Sequence, residues 1–186
     1  MMPEEKINIA QLQQVLDTAT DFETLKDLIV NAPFEQPLAA TFLFLGFLTL
    51  LITDQQTGLI DRISVSNTEL ADNTQVVSVV KFEDIKVPLD NQENIIARAI
   101  RDQKPYDTTD WYYTFTPALT AEQARLNQAS GGIAYSAVYP LTFENGGVLS
   151  FSYYQYAENI GPAQRDFMQA YSAIVSAALA KHFTKP

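Results

Sequence analysis

Residues 131–156, GGIAYSAVYPLTFENGGVLSFSYYQY, are the stretch on which the fold turns. Two runs rich in β-branched and aromatic residues flank Glu144-Asn145-Gly146-Gly147. Asn and Gly take positive φ at low cost, so the stretch predicts a β-hairpin with a tight turn. Ile133, Tyr135, Ala137, Tyr139 and Leu141 fall on one side of the first strand, Ala134, Ser136, Val138 and Pro140 on the other. In the second strand Leu149, Phe151 and Tyr153 alternate with Val148, Ser150, Ser152 and Tyr154. A hairpin with one wet face alternates apolar with charged residues, yet no charge occurs between Gly147 and Tyr156. The hairpin is therefore expected at the centre of a sheet covered on both faces.

Working outward, a chain of 186 residues suits one domain, with a core that removes roughly 70% of the unfolded surface from water. Its 47% hydrophobic and 18% charged residues are those of a folded protein rather than a disordered one. The formal net charge of -10 repels nucleic acid and anionic membrane, so neither is expected as a partner. Acidity of this size is read as plain solubility. The absence of cysteine excludes disulfides, thiolate metal sites and cysteine nucleophiles within the chain. No basic region followed by an apolar core opens the sequence, so no signal peptide is read and the cytoplasm is the expected location. The apolar run Leu38–Ile52 falls short of the roughly 20 residues that span a bilayer and lacks positive flanks. It reads as a helix end around 39–44 passing into a buried strand.

Along the chain, Ile9, Leu12, Leu16 and Ala19 recur at helical spacing over residues 8–18. Thr20-Asp21-Phe22-Glu23 matches a capping box that restarts a helix with Phe22, Leu25, Leu28 and Ile29 on one side. Residues 45–54 and 59–67 form a strand pair around Gln55-Gln56-Thr57-Gly58. Over 68–83 the valines at 76, 77, 79 and 80 favour a strand, with a short helix before Phe82 as the alternative. A short strand at 85–89 follows, then a helix from an Asp90/Glu93 cap to about Asp102, and an extended segment at 106–110. Thr120 and Gln123 cap a short helix that stops at Ser130-Gly131-Gly132, and Gly161-Pro162 starts a long one through about Phe183.

This order resembles a GAF domain, the small-molecule sensing module of signalling proteins. Thr53-Asp54-Gln55-Gln56-Thr57-Gly58 is similar to that family's first hairpin turn. The run from Ile95 to Pro105 is similar to its central helix and exit. Tyr139-Pro140-Leu141 with Gly146-Gly147-Val148-Leu149-Ser150-Phe151 is similar to its closing strand pair. The match spans about residues 20–183, with 1–19 as an added N-terminal helix. It implies a single α+β domain, an α/β sandwich. A central antiparallel sheet of five or six strands would carry the terminal helices on one face and short helices and loops on the other. It further implies a ligand pocket between the sheet and residues 68–130, and a homodimer paired through the terminal helices. Phytochrome-type members tether a bilin through cysteine and the free methionine sulfoxide reductases use cysteine redox chemistry. Neither is expected here, so no covalent bilin is expected and the cofactor stays unassigned. Lys81-Phe82-Glu83-Asp84 resembles only a fragment of the cyclic-nucleotide signature.

The candidate ligand-binding residues are Lys81, Phe82, Trp111, Tyr112, Tyr113, Arg125, Tyr135, Tyr139 and Tyr153. Aromatics with polar tips suit a pocket in which the ring packs and the tip orients, although they equally cover a sheet. Lys81 and Arg125 are candidates to meet an anion, or else solvated surface. The lone histidine, His182, reads as a cation at a helix C-terminus. Asp84, Asp90, Asp107 and Asp110 read as caps and turns, and no catalytic motif occurs. The expected function is a non-catalytic small-molecule sensor signalling through dimerisation or a partner protein. The alternative is a dimerisation scaffold of the same fold without a ligand. The Ala/Ser-rich last helix, with its room for close approach, motivates that second version.

Overall fold

The computed structural model describes residues 7–36, 43–154 and 156–183. In chain order these form α1 (Ile9–Leu16), α2 (Phe22–Asn31), β1 (Leu45–Asp54), β2 (Leu59–Val65) and α3 (Glu69–Val77). Then come β3 (Lys86–Pro88), α4 (Ile95–Asp102), β4 (Tyr106–Thr108), the single turn α5 (Tyr112–Phe115) and α6 (Ala121–Ser130). The chain closes with β5 (Tyr135–Leu141), β6 (Gly147–Tyr153) and α7 (Pro162–Phe183). Six strands make one antiparallel sheet in the order β3-β2-β1-β6-β5-β4. The α+β sandwich expected from the sequence is the architecture observed.

The decisive hairpin has β6 at the middle of the sheet, between β1 and β5, and every residue of β6 is buried. Gly146 takes φ +72° in the turn, which an L side chain tolerates poorly. At Gly147 the reason is space: a Cβ there would lie 2.4 Å from the Leu51 carbonyl oxygen on β1. β1 is buried along its length up to Asp54, as the apolar run 45–52 requires of a central strand. The proposed helix around 39–44 falls mostly outside the described residues. No described helix is long and apolar enough to cross a membrane.

On one face, α1, α2 and α7 lay Leu12, Leu25, Ile29, Phe167, Tyr171 and Leu179 onto Leu48, Leu50, Leu149 and Phe151. The opposite face carries α3, α4, α5 and α6, with Phe82, Trp111, Phe115 and Leu119 packed on Phe47, and Ile96 and Ala99 packed near Val138 and Val148. This is the two-layer cover that the resemblance implies.

Several local expectations are corrected. Over 68–83 the helical alternative holds in place of the favoured strand: Thr68 caps the helix by accepting from the Ala71 amide, and the valines at 76 and 79 stay exposed at its end. Capping and helical continuity outweigh their β propensity. The second helix is capped by Asp21 rather than Thr20, its Oδ1 accepting from the Thr24 amide at 2.7 Å. Asn94, not Asp90, caps α4, accepting from the Ile96 and Ala97 amides. Asn94 is fully buried and its amide also donates to the Thr116 carbonyl at 2.8 Å, which ties α4 to the end of α5. The Thr120/Gln123 capping box is present as read. Ile133 precedes β5 and packs with Trp111, so the strand alternation does not extend back to it.

Candidate functional site

The sheet face under residues 68–130 is not uniformly apolar. Strand register sets Thr49 opposite Ser150, and Ser136 opposite Ser152, so four hydroxyl residues from β1, β6 and β5 meet on one patch. All four are buried. Trp111, 3% exposed, roofs the patch and its indole N–H donates to Ser136 Oγ at 2.9 Å. Ser136 Oγ in turn lies 3.2 Å from Ser152 Oγ. The Trp111 ring meets Phe47 edge-on at 6.0 Å and Phe115 at 5.3 Å, and Phe115 meets Phe82 at 5.6 Å.

Arg62 completes the enclosure. Its parity on β2 matches that of Ile60, so it points into the protein and is only 8% exposed. Nη1 donates to the Ile85 carbonyl and Nη2 to the Thr114 carbonyl, each at 3.3 Å, and the guanidinium carbon lies 4.5 Å from the Phe115 ring centre. Burial pulls this guanidinium down from its ordinary value to about 9, which leaves it charged at neutral pH. Together these side chains surround a chamber of about 20 Å³, room for a single water-sized occupant. An open groove of about 300 Å³ lies on the other side of Arg62 and Phe82, bordered by Ser64, Asn67, Asp72 and Glu83. Arg62 and Phe82 therefore stand between the groove and the chamber.

Of the residues singled out from sequence, Phe82 and Trp111 line this chamber. Tyr112 and Tyr113 do not, because consecutive residues of a helical turn point about 100° apart. The Tyr112 hydroxyl donates to Glu93 at 2.9 Å and Tyr113 is 43% exposed. Arg125 lies at the surface in a bidentate pair with Asp110, at 2.6 Å and 3.2 Å, and this contact lowers the Asp110 carboxyl. Lys81 is exposed. Tyr135, Tyr139 and Tyr153 are on the opposite face of the sheet, against α7, so they are not the floor of a pocket beneath 68–130. There Tyr135 donates to Asp107 at 3.0 Å and Tyr153 stacks obliquely on Tyr135. Burial raises the Tyr135 and Tyr153 phenols well above their ordinary range.

A broad depression of about 930 Å³ lies on the terminal-helix side. Phe22, Asp54, Glu144, His182 and Phe183 border it. His182 sits in the last turn of α7, as the sequence reading has it.

Sequence reasoning missed Arg62, Thr49, Ser136, Ser150 and Ser152. Their signal was present: Arg62 shares its parity with Ile60, and the serines share theirs with Val138 and Val148. An arginine within a strand is ordinarily read as solvent-facing, and serines as neutral strand positions.

No protein-family model and no curated protein matches the sequence. Solved structures do match in shape. The GAF domain of a phosphoenolpyruvate-protein phosphotransferase from Coxiella burnetii superposes with a TM-score of 0.61 at 15% identity, over 93% of this chain and 90% of that one. The corresponding GAF domain from Acinetobacter gives 0.59 at 11%, over 93% and 90%. A free methionine-R-sulfoxide reductase from Neisseria meningitidis gives 0.56 at 14%, over 94% and 85%. At these identities the likeness is one of fold, and that fold carries both GAF domains and an enzyme.

Proposed function

We propose that this chain, whose fold is GAF-like, is a non-catalytic regulatory domain that receives a small molecule in the Trp111 chamber. Its occupancy is then passed to a partner protein or a second copy. The observation that carries this reading is the polar lining. A layer that exists only to cover a sheet is filled with apolar side chains, whereas this one is lined by five hydroxyl residues, an indole N–H and a guanidinium. Such groups are costly to bury unless something satisfies them. The GAF domains among the structural neighbours support the regulatory class.

Against catalysis stands the content of the chamber. Among the described residues Arg62 is the one ionisable side chain in its lining, and general acid–base work needs a group that titrates near the working pH. A thermal-shift panel of small anions, small neutral polar compounds, amino acids and keto acids, with Trp111 emission read in parallel, tests the reading. A binder raises Tm and perturbs the tryptophan together. If no compound does either, the reading falls.

One observation favours a second reading. At about 20 Å³ the chamber is largely filled by Phe47, Phe82, Trp111 and Phe115, as in a scaffold that acts through association without a ligand. Ala173 and Ala177 on the outer side of α7 leave room for a neighbouring helix. Light scattering over a concentration series decides; a strict monomer at all concentrations removes the scaffold.

A further inference from the structure

A buried charge needs a counter-charge or a full set of acceptors. Arg62 has neither. Among the described residues the ion pairs are Lys26–Glu23, Lys86–Asp61, Arg125–Asp110 and Lys181–Asp17, and none includes Arg62. Its two carbonyl contacts at 3.3 Å are longer than the about 2.9–3.0 Å of a well-formed N–H···O bond. They engage one N–H on each Nη. The Nε–H and the second N–H of each Nη meet no acceptor among the described residues. Nearby, the Thr49 and Ser150 hydroxyls border the same space and no hydrogen bond to either is found among the described residues. Unspent donors around an empty volume, with a fixed positive charge at its wall, are what a small anion requires.

Resting on the reading of the chamber as a ligand site, we propose that Arg62, with the Thr49 and Ser150 hydroxyls, binds a small monoanion of the nitrate or short-chain carboxylate class. The chamber's size sets the upper bound on the occupant, since about 20 Å³ admits little beyond a halide, or a planar oxyanion once Phe82 yields slightly. Charge sets the second bound. Asp72 and Glu83 border the outer groove and the whole chain is acidic, so polyanions are repelled at the mouth. Access runs past Phe82, which belongs to a single 3-10 turn and separates groove from chamber.

The test uses the full chain in a buffer whose anion is a bulky sulfonate, titrated with sodium nitrate, formate and acetate. Trp111 is the sole tryptophan, so its emission reports the chamber directly. We expect a saturable change in emission and a Tm rise of several degrees with at least one of the three. Sodium gluconate at equal ionic strength, with a chain too large for the chamber, gives neither. Arg62→Met abolishes the response, Arg62→Lys weakens it, and Ser150→Ala lowers affinity by roughly tenfold through loss of one hydrogen bond to a charged group. An equal response to gluconate, or an undiminished response in both Arg62→Lys and Ser150→Ala, overturns the proposal. A neutral or cationic compound that moves Trp111 and Tm when none of the three anions does overturns the anion assignment and leaves the chamber as a ligand site. Silence from every compound overturns both.

Discussion

Arg62 sets the chemistry at the scale of single residues. Desolvation of a guanidinium costs more than two long carbonyl contacts and one ring face return, so Arg62 opposes folding when no anion is present. Replacement by an apolar side chain of similar length is predicted to stabilise. Arg62→Met should raise the unfolding free energy by about 1 kcal/mol or more in anion-free buffer, measured by urea denaturation. A loss of stability would show that the two carbonyls need their donor more than the layer resents its charge. The pH dependence has a definite sign. With a folded value of about 9, below the ordinary guanidinium value, the unfolded chain holds the extra proton between those limits. This residue alone therefore makes stability rise with pH over that window, and Arg62→Met removes that rise. Strand periodicity puts Arg62 on the same side as Ile60, but whether that side faced protein or water depended on Ile85 and Thr114, segments far along the chain.

At the scale of elements, the two ends of the chain are joined by one buried bond: the Tyr171 hydroxyl of α7 donates to the Ile29 carbonyl of α2 at 2.7 Å. Tyr171→Phe leaves that carbonyl unpaired inside the protein and should cost about 1–3 kcal/mol, with the Trp111 response to ligands unchanged. A urea series with both readouts checks it. β6 approaches β1 at Gly147 so closely that a methyl group would collide with backbone rather than with a movable side chain. Gly147→Ala is predicted to cost more than about 3 kcal/mol, seen as a lowered urea midpoint with little change in slope. Asn94→Ala removes the cap of α4 together with its tie to Thr116, at a cost of about 2 kcal/mol or more. The Gly-rich turn, the strands and the long helix were legible because each obeys local rules of pattern and turn chemistry. The α3 segment was not, since four valines argue for strand and only the Thr68 cap argues for helix. In the same way Asp90 and Glu93 imitate a cap whose real holder, Asn94, is recognised by where the helix buries its first turn.

For the whole molecule, the face covered by α7 holds Tyr135, Tyr153 and Tyr171, whose ionisation burial pushes well upward. In the unfolded chain they ionise near 10, so above that pH the unfolded state sheds protons that the folded state keeps, and stability falls as pH rises. These three groups outweigh the opposite slope from Arg62. Alkaline titration should therefore show the share of tyrosinate absorbance that belongs to these three buried phenols, out of nine tyrosines, rising in one cooperative step with loss of the folded circular-dichroism signal; ionisation of that share while the folded signal persists would contradict it. The amino-acid sequence by itself determined the elements other than α3 and α5 and their order, the turn at Asn145-Gly146, and a sheet covered on both faces. These follow from strand and helix periodicity and from backbone preferences that act within a few residues. Periodicity divides each strand into two sets but does not say which layer covers which set. Tertiary structure alone decided that Tyr135, Tyr139 and Tyr153 face the terminal helices. It alone set Ser136, Ser150 and Ser152 beneath Trp111, and enclosed Arg62 between groove and chamber. Burial of a charge is settled by what distant segments bring against it, and that information is carried by the packed chain rather than by any one stretch of it.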